Sequence, residues 1–121
     1  MAGKPQAQTS TLREMAAVEA SWVGAMIDGE GAVTFVTSRG KSYWMLQLVN
    51  TDVEIISTLL RFTGAGRVCM SKTRKGAKPH WKTEWRWAVA KRNDLISLTR
   101  QLSPYSVKMR KMTTRYPDGR E

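Results

Sequence analysis

Asp28-Gly29-Glu30-Gly31 interleaves two acids with two glycines. Carboxylates are the side chains that hold hard divalent cations such as magnesium, so the chain's chemistry is sought here first. Its other chemical resources are few. Cys69 is the one cysteine and His80 the one histidine. That excludes a disulfide framework, a cysteine-built zinc site and any reaction needing several histidines within one chain.

The acids need an element that delivers them, and Ala17 to Gly31 supplies one. Ala17, Ser21, Gly24 and Asp28 recur at helical spacing as a stripe of small or short residues, with Ala25 beside it. Trp22, Val23, Met26 and Ile27 draw an apolar surface next to that stripe. Two readings share this pattern. In one, the stripe lets a second, similar helix approach closely, and the glycines let the chain turn away sharply at the acids. In the other, this is an ordinary core helix with a glycine-rich end.

With 121 residues, 41% of them hydrophobic, the chain has the makings of one domain with a real core. Residues 1–10 read as a loose polar leader, 11–114 as the domain and 115–121 as a polar tail. A net charge of +10 points to a polyanionic partner, most often nucleic acid. No apolar run approaches bilayer length, and the N-terminus lacks the apolar core of a signal peptide. The expectation is therefore an intracellular protein, not secreted and not bound to a membrane.

Thr11 with Glu14 has the form of a capping box and places the first helix from there to about Asp28. Ala32 to Ser38 is rich in β-branched residues and reads as a strand. Arg39-Gly40-Lys41 is its hairpin turn, and Tyr43 to Asn50 is the second strand. Thr51 with Glu54 repeats the capping spacing before a helix over about 52–63, which Gly64 ends. Arg67 to Ser71 and Thr83 to Ala90 are the third and fourth strands, joined by a basic loop. Asn93 or Asp94 caps a helix with Leu95, Leu98 and Leu102 inward, and Pro104 interrupts it. A short helix runs from Tyr105 to about Thr113.

Strand–strand–helix thus occurs twice after an initial helix, an α+β chain with four antiparallel strands. Each strand has one strongly apolar row, so all helices belong on one face. The other face carries Thr34, Val36, Ser38, Lys41, Tyr43, Met45 and Gln47 from the first hairpin. Arg67, Cys69, Ser71 and Arg86 come from the second, with Arg39 at a turn and Lys72, Arg74, Lys75 and Lys78 in the basic loop. A mostly polar, basic face suits the major groove of DNA; it is equally the pattern of a solvated sheet face. The high positive charge favours DNA. The tryptophans read mainly as core.

Val23-Gly24-Ala25-Met26-Ile27-Asp28-Gly29-Glu30-Gly31 resembles the nine-residue signature of the LAGLIDADG homing endonucleases. Leu48-Val49-Asn50-Thr51-Asp52, Gly64-Ala65-Gly66, Trp85-Arg86-Trp87-Ala88-Val89 and Leu102-Ser103-Pro104-Tyr105 with its basic run look like later parts of that family, in order. The similarity covers roughly Ser21 to Lys111. It implies an αββαββα fold with a saddle-shaped sheet over DNA and signature helices packed together at the centre. Two departures stand out. The motif's usual Ala-Gly is Gly24-Ala25 here, and the family's basic position after the Pro-Tyr element holds Met109, between Lys108 and Arg110.

By this resemblance the chain is a homodimeric, site-specific double-stranded DNA endonuclease. It would use Mg2+, with Mn2+ as a substitute, act on a long, nearly palindromic site and take no small-molecule substrate. Glu30 would be the metal ligand. Asn50 would orient water near the metals, or merely flank the helix cap at Thr51. Lys108 would polarise the attacked phosphate, or be a surface lysine. Ala17, Ser21, Gly24, Ala25 and Asp28 would line the dimer contact, Asp28 in a structural part. A non-cleaving DNA-binding regulator, an RNA-splicing maturase of the same fold and a basic structural RNA-binding protein are the competing readings.

Overall fold

The computed structural model describes residues 11–70 and 83–113. The leader at 1–10, the last domain residue Thr114, the tail at 115–121, and Ser71, Lys72, Arg74, Lys75 and Lys78 lie outside the described residues. The elements run α1 (Ala17–Glu30), β1 (Gly31–Ser38), β2 (Lys41–Asn50), α2 (Val53–Thr63), β3 (Arg67–Met70), β4 (Trp85–Val89), α3 (Arg92–Leu102) and α4 (Val107–Met112). The strands form one antiparallel sheet in the order β1-β2-β4-β3.

Period-two patterning sets the sheet's two faces. Trp44, Leu46 and Leu48 of β2 and Trp87 and Val89 of β4 are buried under the helices. They pack with Ala20, Val23 and Ile27 of α1, Ile56 and Leu59 of α2, and Leu95, Leu98 and Leu102 of α3. Each buried valine, leucine or isoleucine among them contributes about 1.5–3 kcal/mol by leaving water. Trp87 also satisfies its indole N–H on the Ala65 carbonyl at 2.9 Å. Arg39 (φ 53°) and Gly40 (φ 80°) make the two-residue β1–β2 turn, whose left-handed geometry matches the twist of the strands. That turn fixes the register that pairs Ser38 with Lys41 and Gly31 with Leu48.

Several boundaries differ from the sequence expectation. α1 starts at Ala17 rather than near Thr11, and no capping box forms at Thr11. The Thr11 hydroxyl instead donates to the Gly64 carbonyl. Arg13 gives its backbone N–H to Thr63 O at 2.8 Å and its guanidinium to Phe62 O at 2.9 Å. These donors satisfy carbonyls that the end of α2 leaves unpaired. Glu14 meets Arg100 of α3 at 3.0 Å. It is Glu19 that receives the Ala16 N–H at the start of α1.

The cap of α2 is Asp52, not Thr51; its carboxylate accepts from Glu54 N–H at 2.9 Å. Gly64 ends that helix at φ 67°, as its position suggests. α3 begins at Arg92 after Lys91, so Asp94 lies inside the first turn, where it is buried. α4 is capped by Ser106, whose hydroxyl accepts from Met109 N–H. Tyr105 is left in the turn with its ring exposed. Among the described residues no helix is long and apolar enough to cross a membrane.

Candidate functional site

Gly31 changes the chain from helix to strand in one residue. Its N–H closes α1 on the Ile27 carbonyl while its backbone is already extended. The Glu30 carboxylate therefore stands exposed at the α1–β1 junction, facing the end of β2. Asn50, the last residue of β2, donates from Nδ2 to Glu30 Oε1 at 2.6 Å. Its Oδ1 accepts from Asp52 N–H at 2.7 Å. These two bonds agree on the orientation of the amide. One side chain thus braces the entry to α2, beside Asp52 rather than a Thr51 cap, and also holds the acid.

Lys108 reaches the junction from α4. Its Nζ donates to the Gly31 carbonyl at 2.7 Å, one residue from Glu30. Met109 is buried in the core, and Arg110 turns back to Ser103 O at 2.9 Å. Of the three residues around the shifted basic position, Lys108 is the one at the junction.

Asp28 holds α4 in place. Oδ1 accepts from Ser106 Oγ at 2.8 Å and from Lys108 N–H at 3.0 Å, and Oδ2 accepts from Val107 N–H at 2.9 Å. A carboxylate at a helix N-terminus satisfies orphan donors and faces the positive end of the helix dipole. The hydrogen bond from the Lys108 backbone is the largest cause holding the Asp28 carboxyl below its usual value, with Val107, Ser106 and the Lys108 charge adding to it against the cost of burial. Asp28 is a structural residue, and its contact is α4 of its own chain. Ser106 is the partner that sequence reasoning missed. The available signal was a serine three residues before an inward-facing Met109, the spacing of an N-cap.

The remaining face of α1 corrects the small-residue stripe. Gly24 is buried within the chain: a Cβ there would lie 2.8 Å from the Tyr105 carbonyl oxygen. The helix is rotated so that Val18, Ser21, Ala25 and Gly29 form the outward line, with Ala17 exposed beside it. Val18 is 75% exposed, and a Cβ on Gly29 would meet nothing within 4 Å. Of the five expected contact residues, Ala17, Ser21 and Ala25 face out, whereas Gly24 and Asp28 are used inside the chain.

Away from the helices, the sheet's open face assembles in cross-strand rows. Val49, Arg86 and Cys69 form the row nearest Asn50. Ala32, Gln47, Ala88 and Arg67 form the next. Thr34 with Met45, Val36 with Tyr43, and Ser38 with Lys41 follow outward to the turn at Arg39. The expected DNA-facing residues that are described, Cys69 included, therefore share this face or its edge. Among the described residues the ion pairs are Arg13–Glu19 and Arg100–Glu14, and neither touches the face. Among the same residues no group of three or more His, Cys, Asp or Glu side chains could hold a metal ion.

No protein-family model and no curated protein matches this sequence, but solved structures match its architecture. The homing endonuclease I-CvuI, in complex with its target in the presence of 2 mM Ca, superposes at TM-score 0.61 with 15% identity, over 81% of this chain and 64% of that one. An archaeal intron-encoded homing endonuclease complexed with DNA gives 0.57 and 18%, over 79% and 63%. The LAGLIDADG meganuclease I-AabMI bound to uncleaved DNA gives 0.57 and 17%, over 72% and 29%. This chain has the LAGLIDADG homing endonuclease fold. It spans 64% of the I-CvuI chain. Glu30, Asn50 and Lys108 meet at the junction of α1 and β1, where the segment that resembles the family's signature ends.

Proposed function

We propose that the protein is a metal-dependent, site-specific endonuclease for double-stranded DNA, acting as a homodimer. One observation carries this reading above the others. An exposed carboxylate, an amide that holds it and a lysine converge at one end of a sheet face whose arginines pair with no carboxylate among the described residues. The solved structures of the same fold include proteins described as homing endonucleases complexed with DNA.

The donor set fits magnesium, which takes oxygen ligands and completes its shell with water and phosphate around one or two carboxylates. Glu30 is the residue that would hold it. Asp28 is committed to three donors of α4 and Ser106, so Glu30 is the acid left at the junction among the described residues. A bound divalent cation supplies charge neutralisation and activates water for phosphodiester hydrolysis. Asn50 keeps the Glu30 carboxylate aimed, and a held acid is one prerequisite for a defined metal geometry. The Lys108 ammonium has three N–H donors and spends one on Gly31 O. Among the described residues the others are left for a phosphate oxygen, where positive charge stabilises the developing negative charge of the transition state.

Dimerisation brings the second acid. The outward line of Ser21, Ala25 and Gly29 allows a copy of α1 to approach closely. A two-fold axis beside it sets two Glu30 residues near one another and presents the same sheet face twice, so the DNA site is nearly palindromic. The test is cleavage of a duplex selected by this protein from a random library, with magnesium and with EDTA. Magnesium-dependent double-strand cutting supports the reading. A selected duplex that is bound but never cut, with magnesium or manganese, leaves a non-cleaving DNA-binding protein.

A further inference from the structure

We infer that the open sheet face reads a half-site of fixed base order, guanines nearest the cutting centre and thymines further out. This rests on the proposed function, since it assigns the sequence which that same face would select. The rows on the face differ in charge. Arg86 lies in the row beside Asn50 and Arg67 in the next. The two rows beyond carry Thr34 with Met45 and Val36 with Tyr43, and no charge. Along the first hairpin, the next arginine lies past them, at the Arg39 turn.

Base chemistry follows from the side chains. An arginine fork matches the O6 and N7 acceptors of guanine in the major groove, the commonest specific contact there. Neither arginine is taken by a carboxylate among the described residues. Apolar groups and threonine methyls instead favour the C5-methyl of thymine, and Met45, Val36 and Thr34 supply them. Gln47 shares the Arg67 row, and its amide suits adenine N6 and N7.

Spacing turns this order into positions. Alternate residues on one strand face advance about 6.7 Å, and duplex DNA advances about 3.4 Å per base pair. Successive rows are therefore about two base pairs apart when the ribbon follows the groove. Arg86 and Arg67 place two guanine contacts about two base pairs apart on the inner side of each half-site. The Met45 and Val36 rows place thymine contacts about two and four base pairs beyond them.

The experiment is binding selection from a random double-stranded DNA library, using the full chain in calcium, followed by sequencing. Wild type is expected to enrich two inner guanines and an outer thymine segment in each half-site. Arg86→Ala is expected to erase the innermost guanine preference by about tenfold or more while the outer thymines persist. Arg67→Ala is expected to do the same one row out. Enrichment of a site whose inner guanines are missing, or are unchanged in both variants, overturns the base assignment and leaves DNA binding standing. Failure of wild type to enrich any duplex defeats the proposed function itself.

Discussion

Lys108 is joined to Asp28 and Gly31 at once: its backbone N–H donates to Asp28 Oδ1 at 3.0 Å, and its ammonium donates to Gly31 O at 2.7 Å. The end of α1 thus both anchors α4 and receives the side chain that α4 carries. Glu30 lies between those two anchor residues. The position of the lysine relative to the acid is a consequence of how Asp28 caps the helix.

Asp28→Asn should therefore disturb α4 before it disturbs any chemistry. An amide keeps one acceptor but turns an NH2 group towards either Val107 N–H or the donors at Oδ1. Loss of the hydrogen bonds should destabilise the fold by about 1–2 kcal/mol, read as a lower denaturant midpoint with an unchanged slope. The folded-state pKa of Asp28 is lowered. Its contribution is therefore present above its unfolded value, near 3.8, and is lost as pH falls through the folded value. The stability difference between wild type and Asp28→Asn should be constant near neutrality and shrink in that acid window. A difference independent of pH down to acid unfolding would contradict the capping role.

Asn50→Ala removes the donor that holds Glu30 Oε1 and the acceptor that braces Asp52. Supporting residues around a metal ligand typically cost about 10–100-fold in activity or metal affinity when removed. Cleavage should fall in that range and the magnesium requirement should rise, with duplex affinity in calcium nearly unchanged. Equal cutting at equal magnesium would show that Asn50 serves only the turn into α2.

On α1, Ala25→Leu and Gly24→Leu should separate cleanly. Ala25 is exposed, so leucine there should leave the subunit folded and block the approach of a second helix. Sedimentation should then show a folded monomer with weakened DNA binding. At Gly24 a side chain would collide with the Tyr105 backbone at 2.8 Å, so leucine should unfold the subunit. A wild type that is monomeric with and without DNA would remove the homodimer from the account.

Affinity for duplex DNA should fall steeply between 50 and 200 mM salt. A protein carrying +10 per chain replaces counterions at the phosphates, and about 6–10 such contacts cost on the order of 10³–10⁵ in affinity over that interval. A flat salt dependence would mean that the positive charge is not the DNA contact.

Much of this arrangement could be read from residue order. The alternation of Trp44, Leu46 and Leu48 against Met45 and Gln47 gives the sheet its inner and outer faces, because a half-buried strand sorts its side chains with period two. Gly64 ends α2 for a local reason, a left-handed cap. Glu30, Asn50 and Lys108 could be named as candidates from the sequence, and the fold brings the three to one junction. The start of α1 was not, because the rule for capping is local and the partners of Thr11, Arg13 and Glu14 are not. They lie on Gly64, Thr63 and Arg100, far along the chain. The rotation of α1 was hidden for the same kind of reason. A glycine that makes room for Tyr105 and one that faces outward look alike in a helical stripe, and only packing tells Gly24 from Gly29.

The central claim is that Glu30 holds the catalytic metal, and Glu30→Gln tests it most directly. The substitution removes the charge and keeps the shape, and an amide oxygen can still accept from Asn50 Nδ2. Cleavage of the selected duplex by wild type and variant is compared in magnesium, and binding in calcium, where neither should cut. The account predicts that cutting drops by orders of magnitude, since losing the metal removes several kcal/mol of transition-state stabilisation. Binding should be retained or tightened, because an acid near the phosphates has gone. A Glu30→Gln protein that cuts like wild type, beside an Asp28→Asn protein that is folded, dimeric and inactive, would contradict it and transfer the chemistry to the other acid.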